Sequence, residues 1–176
     1  AGPARVILHQ QIRYPEPAPK SQAVLTMNIR HAAPRDASTI IDFQLAMALE
    51  TENLALDKVT VAKGVAAVFD DPRKGQYWIA QVDRRIAGAL LTIPEWSDWR
   101  NGTVLWIHSV YVEPSYRRQG VFKAMYLHLK TQVIEDESLM GLRLYVDRRN
   151  RPAQAVYENL GMDSRHYRLY EWLKRP

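Results

Sequence analysis

The chain has 176 residues, 47% of them hydrophobic, and a formal net charge of +5. That length and apolar content suffice for one domain with a buried core. The absence of cysteine excludes disulfides, thiolate zinc sites and thiol nucleophiles. The mild positive charge suits a small polyanion; a nucleic-acid partner would call for a denser basic patch.

Residues 1–26 differ from the rest. The stretch "RYPEPAPKSQ" carries three prolines in a polar window and reads as a flexible arm or a non-native leader ahead of Met27. Residues 27–176 read as a single domain. No apolar run is long enough to span a bilayer and no signal-peptide pattern stands at the start, so a cytoplasmic protein without membrane contact is expected.

A short strand is predicted over Leu25–Arg30. Pro34 lies near a helix start that Asp36 or Ser38 would cap. Ile40, Ile41, Phe43, Leu45, Met47, Ala48 and Leu49 then form a broad apolar stripe at helical spacing. A second helix carries Val61, Val65, Val68 and Phe69 and stops at Asp71-Pro72. "GQYWIAQV" and "IAGALLTI" around "DRR" predict a hairpin. "EWSDWRNG" reads as a loop, and "TVLWIHSVYV" as a long strand ended by Pro114. Val121–Val133 is a helix with Phe122, Met125, Tyr126, Leu129 and Val133 on one face. "GLRLYV" is a strand. A helix runs from Asn150, well placed as its cap, to Leu160, with Gly161 as its stop. "RHYRLYEWL" is predicted as a last strand, and its Tyr167, Leu169, Tyr170 and Trp172 would suit pairing with a second copy in a homodimer. The order is α/β with a mixed sheet: antiparallel in its first half, then crossover helices that favour parallel neighbours.

The turn Arg117-Arg118-Gln119-Gly120-Val121-Phe122-Lys123 joins a strand to a helix. A helix N-terminus offers unpaired N–H groups and partial positive charge. Glycine lets the backbone approach an anion, and arginines add forked donors. The turn has the chemistry of a pyrophosphate cradle, although a solvated basic loop would carry the same residues. The spacing is neither a Walker loop nor a dinucleotide fingerprint.

Val112-Glu113-Pro114 followed by Arg117-Arg118-Gln119-Gly120-Val121-Phe122, and then Asn150, Ala153, Tyr157 and Gly161-Met162, resemble the two signatures of the GNAT superfamily of acetyl-coenzyme A-dependent N-acetyltransferases. The resemblance covers about Met27 to Leu173. Phe122 stands where the family usually has glycine or alanine; its side chain can point away, since only its amide is needed. The resemblance implies a GNAT-type sheet of six to seven strands with helices on both faces. It also implies acetyl transfer from acetyl-CoA to a primary amine by direct attack, without a metal. Val110, Tyr111 and Val112 would hold the pantetheine arm through their backbone. Arg117 through Lys123 would hold the pyrophosphate, and Asn150 would touch the cofactor arm. Tyr157 would give a proton to the leaving sulfur, although its apolar stripe also explains a core aromatic.

For the base, His108 titrates in the useful range, and alternation puts Ser109 and Tyr111 on the opposite face from it. Glu50, at the end of the first helix, is the alternative, and Glu52 beside it would bind substrate. Trp96, Asp98 and Trp99 combine aromatic faces with a carboxylate and suit a cationic amine, so a small cationic amine is the expected acceptor. A coenzyme A-binding regulatory module without turnover is the alternative reading.

Overall fold

A computed structural model of the chain describes residues 27–174; the arm expected at residues 1–26 lies outside them. Five strands form one sheet in the order β1 (Met27–His31), β2 (Gln76–Val82), β3 (Arg85–Ser97), β4 (Gly102–Val112) and β5 (Leu139–Arg143). The first four are antiparallel and β4–β5 is parallel. The helices are α1 (Ala37–Glu52), α2 (Lys58–Asp70), α3 (Val121–Glu135) and α4 (Arg151–Asn159). No described helix is long and apolar enough to cross a membrane.

Local chemistry sets the joints. Asp83 and Arg84 both take left-handed φ values, 48° and 67°, the twist a two-residue hairpin needs. Asp57 caps α2 by accepting from the Thr60 amide at 2.8 Å. The parallel β4–β5 pair is bridged by α3, as parallel neighbours require.

The sheet buries both faces. Trp78, Ala80, Val82, Leu90 and Ile107 pack under Val121, Met125, Tyr126 and Leu129 of α3. Tyr77, Ala89, Leu91 and Tyr111 pack under Ile40 and Phe43 of α1 and Val65 of α2. Successive residues of β2 go to opposite faces, which is why this strand is apolar throughout.

Four expectations are corrected. Among the described residues the sheet has five strands, not six or seven: residues 162–174 form no strand, and all of their side chains except Met162 are exposed. "EWSDWRNG" is half strand, because β3 runs to Ser97 with Trp96 opposite Thr103. Asp36 does not cap α1; its carboxylate accepts from both Arg30 guanidinium nitrogens, at 2.8 and 3.0 Å, and from the Ala33 amide at 2.7 Å. Strict alternation also fails in β4, with consequences for the site.

Candidate active site

Leu91 of β3 lies opposite His108 of β4, but Ala89 lies opposite Tyr111. Leu90 therefore faces two residues, Ser109 and Val110, and Ser109 takes φ 51°. This is a β-bulge, which breaks the period-2 pattern and bends the strand. His108 and Tyr111 consequently share the α1/α2 face, since both partners, Leu91 and Ala89, belong to that core. Val110 and Val112 pack toward α3.

The other edge of β4 parts from β5. Their ladder ends at Trp106 opposite Arg143, so Ile107 to Val112 turn that edge to an opening between the strands. Backbone donors and acceptors there have no β5 partner. Val110, Tyr111 and Val112 stand on this parted stretch.

The opening leads to the start of α3. Arg118 and Gly120 both take left-handed φ, 63° and 80°, and Gly120 is the N-cap residue without a side-chain cap. The first bond back into the helix runs from the Ala124 amide to the Gly120 carbonyl, at 2.9 Å. The amides of Val121, Phe122 and Lys123 are therefore left pointing out of the helix end. They border a groove of about 380 Å³ lined by Val112, Arg118, Gly120, Phe122, Lys123 and Leu160 among others. A methyl on Gly120 would meet nothing within 4 Å, so the approach to the helix end is open. Gln119 braces the loop by donating to the Ser115 carbonyl at 2.8 Å.

Arg117 lines the same groove, but its guanidinium is engaged elsewhere. Nε donates to the Val112 carbonyl at 2.9 Å and an Nη donates to Glu50 at 2.7 Å; the group also lies 5.4 Å from the centre of the Tyr111 ring. The ring of Phe122 stands edge-on to Tyr157, 5.5 Å between centres, which turns its bulk toward α4 and leaves its amide at the helix end.

Tyr157 is half-buried, and burial pushes its phenol above the ordinary value. Its hydroxyl has no hydrogen-bond partner among the described residues, so it is a neutral donor with its proton uncommitted. His108 lies between Trp106 and Tyr145, with ring centres 6.2 and 5.3 Å away. Burial lowers its pKa, which keeps the imidazole neutral at pH 7 and able to accept a proton. Glu50 differs: the Arg117 guanidinium holds its carboxyl below the usual range, with help from the Tyr111 hydroxyl, which donates to it at 3.0 Å. A carboxylate stabilised in this way is a weak base. Its geometry ties the end of α1 to the end of β4. Asn150 caps α4, accepting from the Ala153 amide at 3.1 Å. Glu52 faces Asp147, Arg149 and Asn150 across a second hollow.

The fold has counterparts among solved structures. The sequence model of the Acetyltransferase (GNAT) family matches residues 45–162. The chain belongs to the GNAT acetyltransferase family. A possible acetyltransferase from Clostridium difficile 630 is 41% identical, with 85% of this chain and 99% of that one covered, and superposes with a TM-score of 0.79. A predicted acetyltransferase with acetyl-CoA from Clostridium acetobutylicum is 22% identical, covering 86% of this chain and 96% of that one, with a TM-score of 0.61. A ribosomal-protein-alanine N-acetyltransferase from Brucella melitensis biovar Abortus 2308 is 17% identical over 85% of this chain and 100% of that one, with a TM-score of 0.68. The last two show likeness of fold alone. No curated protein matches the sequence.

Within this GNAT domain the expected residues fall into two groups. Val112, Arg118 and Gly120 to Lys123 line the groove, Val110 and Tyr111 stand on the parted edge, and Tyr157 reaches the groove only through the Phe122 ring. Trp96, Asp98 and Trp99 do not join them. They sit at the β3–β4 turn, where Asp98 accepts from the Trp99 amide at 2.9 Å; the eleven residues of β4, about 33 Å of strand end to end, separate this turn from the groove. Two features near His108 were not foreseen. Tyr145 covers the imidazole edge-on. Glu95 accepts from the Trp106 indole N–H and, at 2.7 Å, from Arg143. Trp106 is two residues before His108 and so shares its face, a signal that was readable; Glu95 follows from the hairpin register.

Proposed function

We propose that this GNAT protein moves an acetyl group from acetyl-CoA to a primary amine by direct attack in a ternary complex, with a small cationic amine as acceptor. The observation that carries the reading is the parted β4 edge ending at an open, basic helix start. Backbone groups of Val110–Val112 match the amides of a pantetheine arm, and the amides of Val121–Lys123 with Arg118 and Lys123 match a pyrophosphate. Acetyl-CoA would supply a thioester carbonyl at the opening between the strands. His108 takes the proton that the attacking amine must shed, directly or through water. Tyr157 gives its phenolic proton to the sulfur as the carbon–sulfur bond breaks. Tyr157 is also what favours turnover over a regulatory coenzyme A-binding module, which needs no uncommitted acid. On the His108 face the Tyr145 ring suits a cationic acceptor; the Glu95 carboxylate and the Trp106 ring already hold the Arg143 guanidinium.

The test is calorimetric titration of acetyl-CoA into the intact protein and into Arg118→Glu/Lys123→Glu. Micromolar binding that falls by about 10²-fold or more in the variant, as expected for two charge-assisted contacts, supports the cradle and opens an amine screen. No binding to the intact protein refutes the reading.

A further inference from the structure

Glu50 stands where helix chemistry does not favour it. The last turn of α1 holds Glu50 and Glu52 and no basic residue, and a carboxylate there opposes the partial negative charge of a helix end. Its compensation comes from across the fold. Tyr111, 61 residues on, donates to Oε1 at 3.0 Å, and Arg117, 67 residues on, donates to Oε2 at 2.7 Å. Both carboxylate oxygens are therefore engaged.

Arg117 carries this anchorage to the groove. Its Nε donates to the Val112 carbonyl at 2.9 Å. The Glu113 amide donates to Ala87 of β3, also at 2.9 Å. Neighbouring residues of a strand turn their backbone groups to opposite sides, so the Val112 carbonyl faces the parted edge. The guanidinium satisfies it there in place of β5. Arg118 follows at φ 63°, a left-handed conformation that a non-glycine residue keeps where its surroundings hold it. Arg117 holds the turn on one side, and Gln119, bonded to the Ser115 carbonyl at 2.8 Å, holds it on the other.

We propose that Glu50 and Arg117 are joint positioning residues for acetyl-CoA. The carboxylate aims the guanidinium at the Val112 carbonyl, and this brace fixes the parted edge and the Arg118–Gly120 turn in their receiving shape before the cofactor arrives. The inference rests on the groove being an acetyl-CoA site, and it separates Arg117 from the groups that meet the pyrophosphate, which are Arg118, Lys123 and the amides of Val121–Lys123. If Glu50 merely parked Arg117 for a pyrophosphate to claim, Glu50→Gln would free the guanidinium and tighten binding. A brace predicts the reverse.

Calorimetric titration with acetyl-CoA decides between the two signs. Glu50→Gln should weaken binding by roughly 5–30-fold, the loss expected when a ligand must itself order the segment that receives it. Arg117→Lys should weaken it comparably although the charge is kept, because one ammonium cannot serve Glu50 and the Val112 carbonyl together. The double variant should lose no more than the worse single one, since the two residues act through one contact. In turnover, KM for acetyl-CoA should rise by more than kcat falls. A second measurement needs no ligand: in Glu50→Gln the Glu113 and Ala124 amides, bonded to the Ala87 and Gly120 carbonyls, should exchange hydrogen faster than in the parent.

Unchanged or tighter binding in Glu50→Gln overturns the brace, as does an Arg117→Lys variant that binds like the parent, or unchanged exchange at those amides. So does a kcat loss of about 10²-fold with KM unchanged, which marks Glu50 as the proton acceptor. A parent that binds no acetyl-CoA refutes the cofactor reading and the brace with it; a parent that binds, with variants that bind equally well, refutes the brace alone.

Discussion

Gly88→Ala probes the contact on which the site rests. The added methyl would lie 2.8 Å from the Tyr111 carbonyl oxygen and 3.3 Å from Val112 Cγ2 and Val121 Cγ1. The first contact is backbone, so no rotamer relieves it; β3 and β4 must separate by about 0.5 Å to restore van der Waals distance. Overpacking of this kind costs ~1–3 kcal/mol. Loss of glycine freedom in the unfolded chain returns ~0.4–1 kcal/mol. The net, about 1–2 kcal/mol, lowers Tm by roughly 2–8 °C for a domain of this size. The displaced atoms belong to Tyr111, which is bonded to Glu50, and to Val121, which opens α3. Acetyl-CoA affinity should therefore weaken as well. Gly120→Ala is the counterpart, since its methyl meets nothing within 4 Å and pays only for φ +80°. Scanning calorimetry measures both variants. If Gly88→Ala melts within 1 °C of the parent and binds acetyl-CoA equally well, the close approach of β3 to the cradle is refuted.

Tyr157→Phe should leave acetyl-CoA affinity unchanged and lower kcat by about 10²–10⁴-fold, the range for loss of a positioned acid; stopped-assay kinetics on an accepted amine check it. The rate should fall as pH drops through the His108 pKa, which burial sets below the ordinary 6.5, and His108→Gln should abolish that limb together with most of the rate. The Arg30 guanidinium holds the Asp36 carboxyl below its ordinary 3.8. The unfolded carboxylate therefore takes up its proton at higher pH than the folded one. Stability from this pair is complete above the ordinary value and is lost as pH falls through the folded one. Asp36→Ala should cost about 1–3 kcal/mol by orphaning Arg30 and the Ala33 amide, and should flatten that acid limb in denaturant titrations.

The open, basic start of α3 was legible because it is local: Gly120, its arginines and the helix that follows are neighbours in sequence, and backbone amides need no particular side chains. Contacts across long sequence separations were not legible. Nothing in the spacing of Glu50 and Arg117 announces that they meet at 2.7 Å, and that meeting favours the ionised form of Glu50. Alternation placed His108 and Tyr111 on opposite faces; the bulge at Ser109–Val110 brings them to one, and Ser109 carries no glycine or asparagine to signal its left-handed φ. The Trp96–Trp99 turn had the composition of a cation site, but composition says nothing about which end of a hairpin meets the helix. The last strand was read from its pattern alone, and residues 162–174 form none.

The extra residue in β4 makes chain length at this corner a matter of parity. Between Ile107 and Pro114 the strand turns over once. Deleting or inserting a single residue would swing the Tyr111 phenol into the α3 core and send Val110 and Val112 toward α1, reversing which side of the sheet is polar where the two strands part. Changes of two residues would keep the faces but shift the helix start by a full pleat, about 7 Å along the strand. Substitution at this corner is thus a graded change, whereas a change in length is all or nothing, and the segment is a poor place to look for variation in size among chains that keep the site.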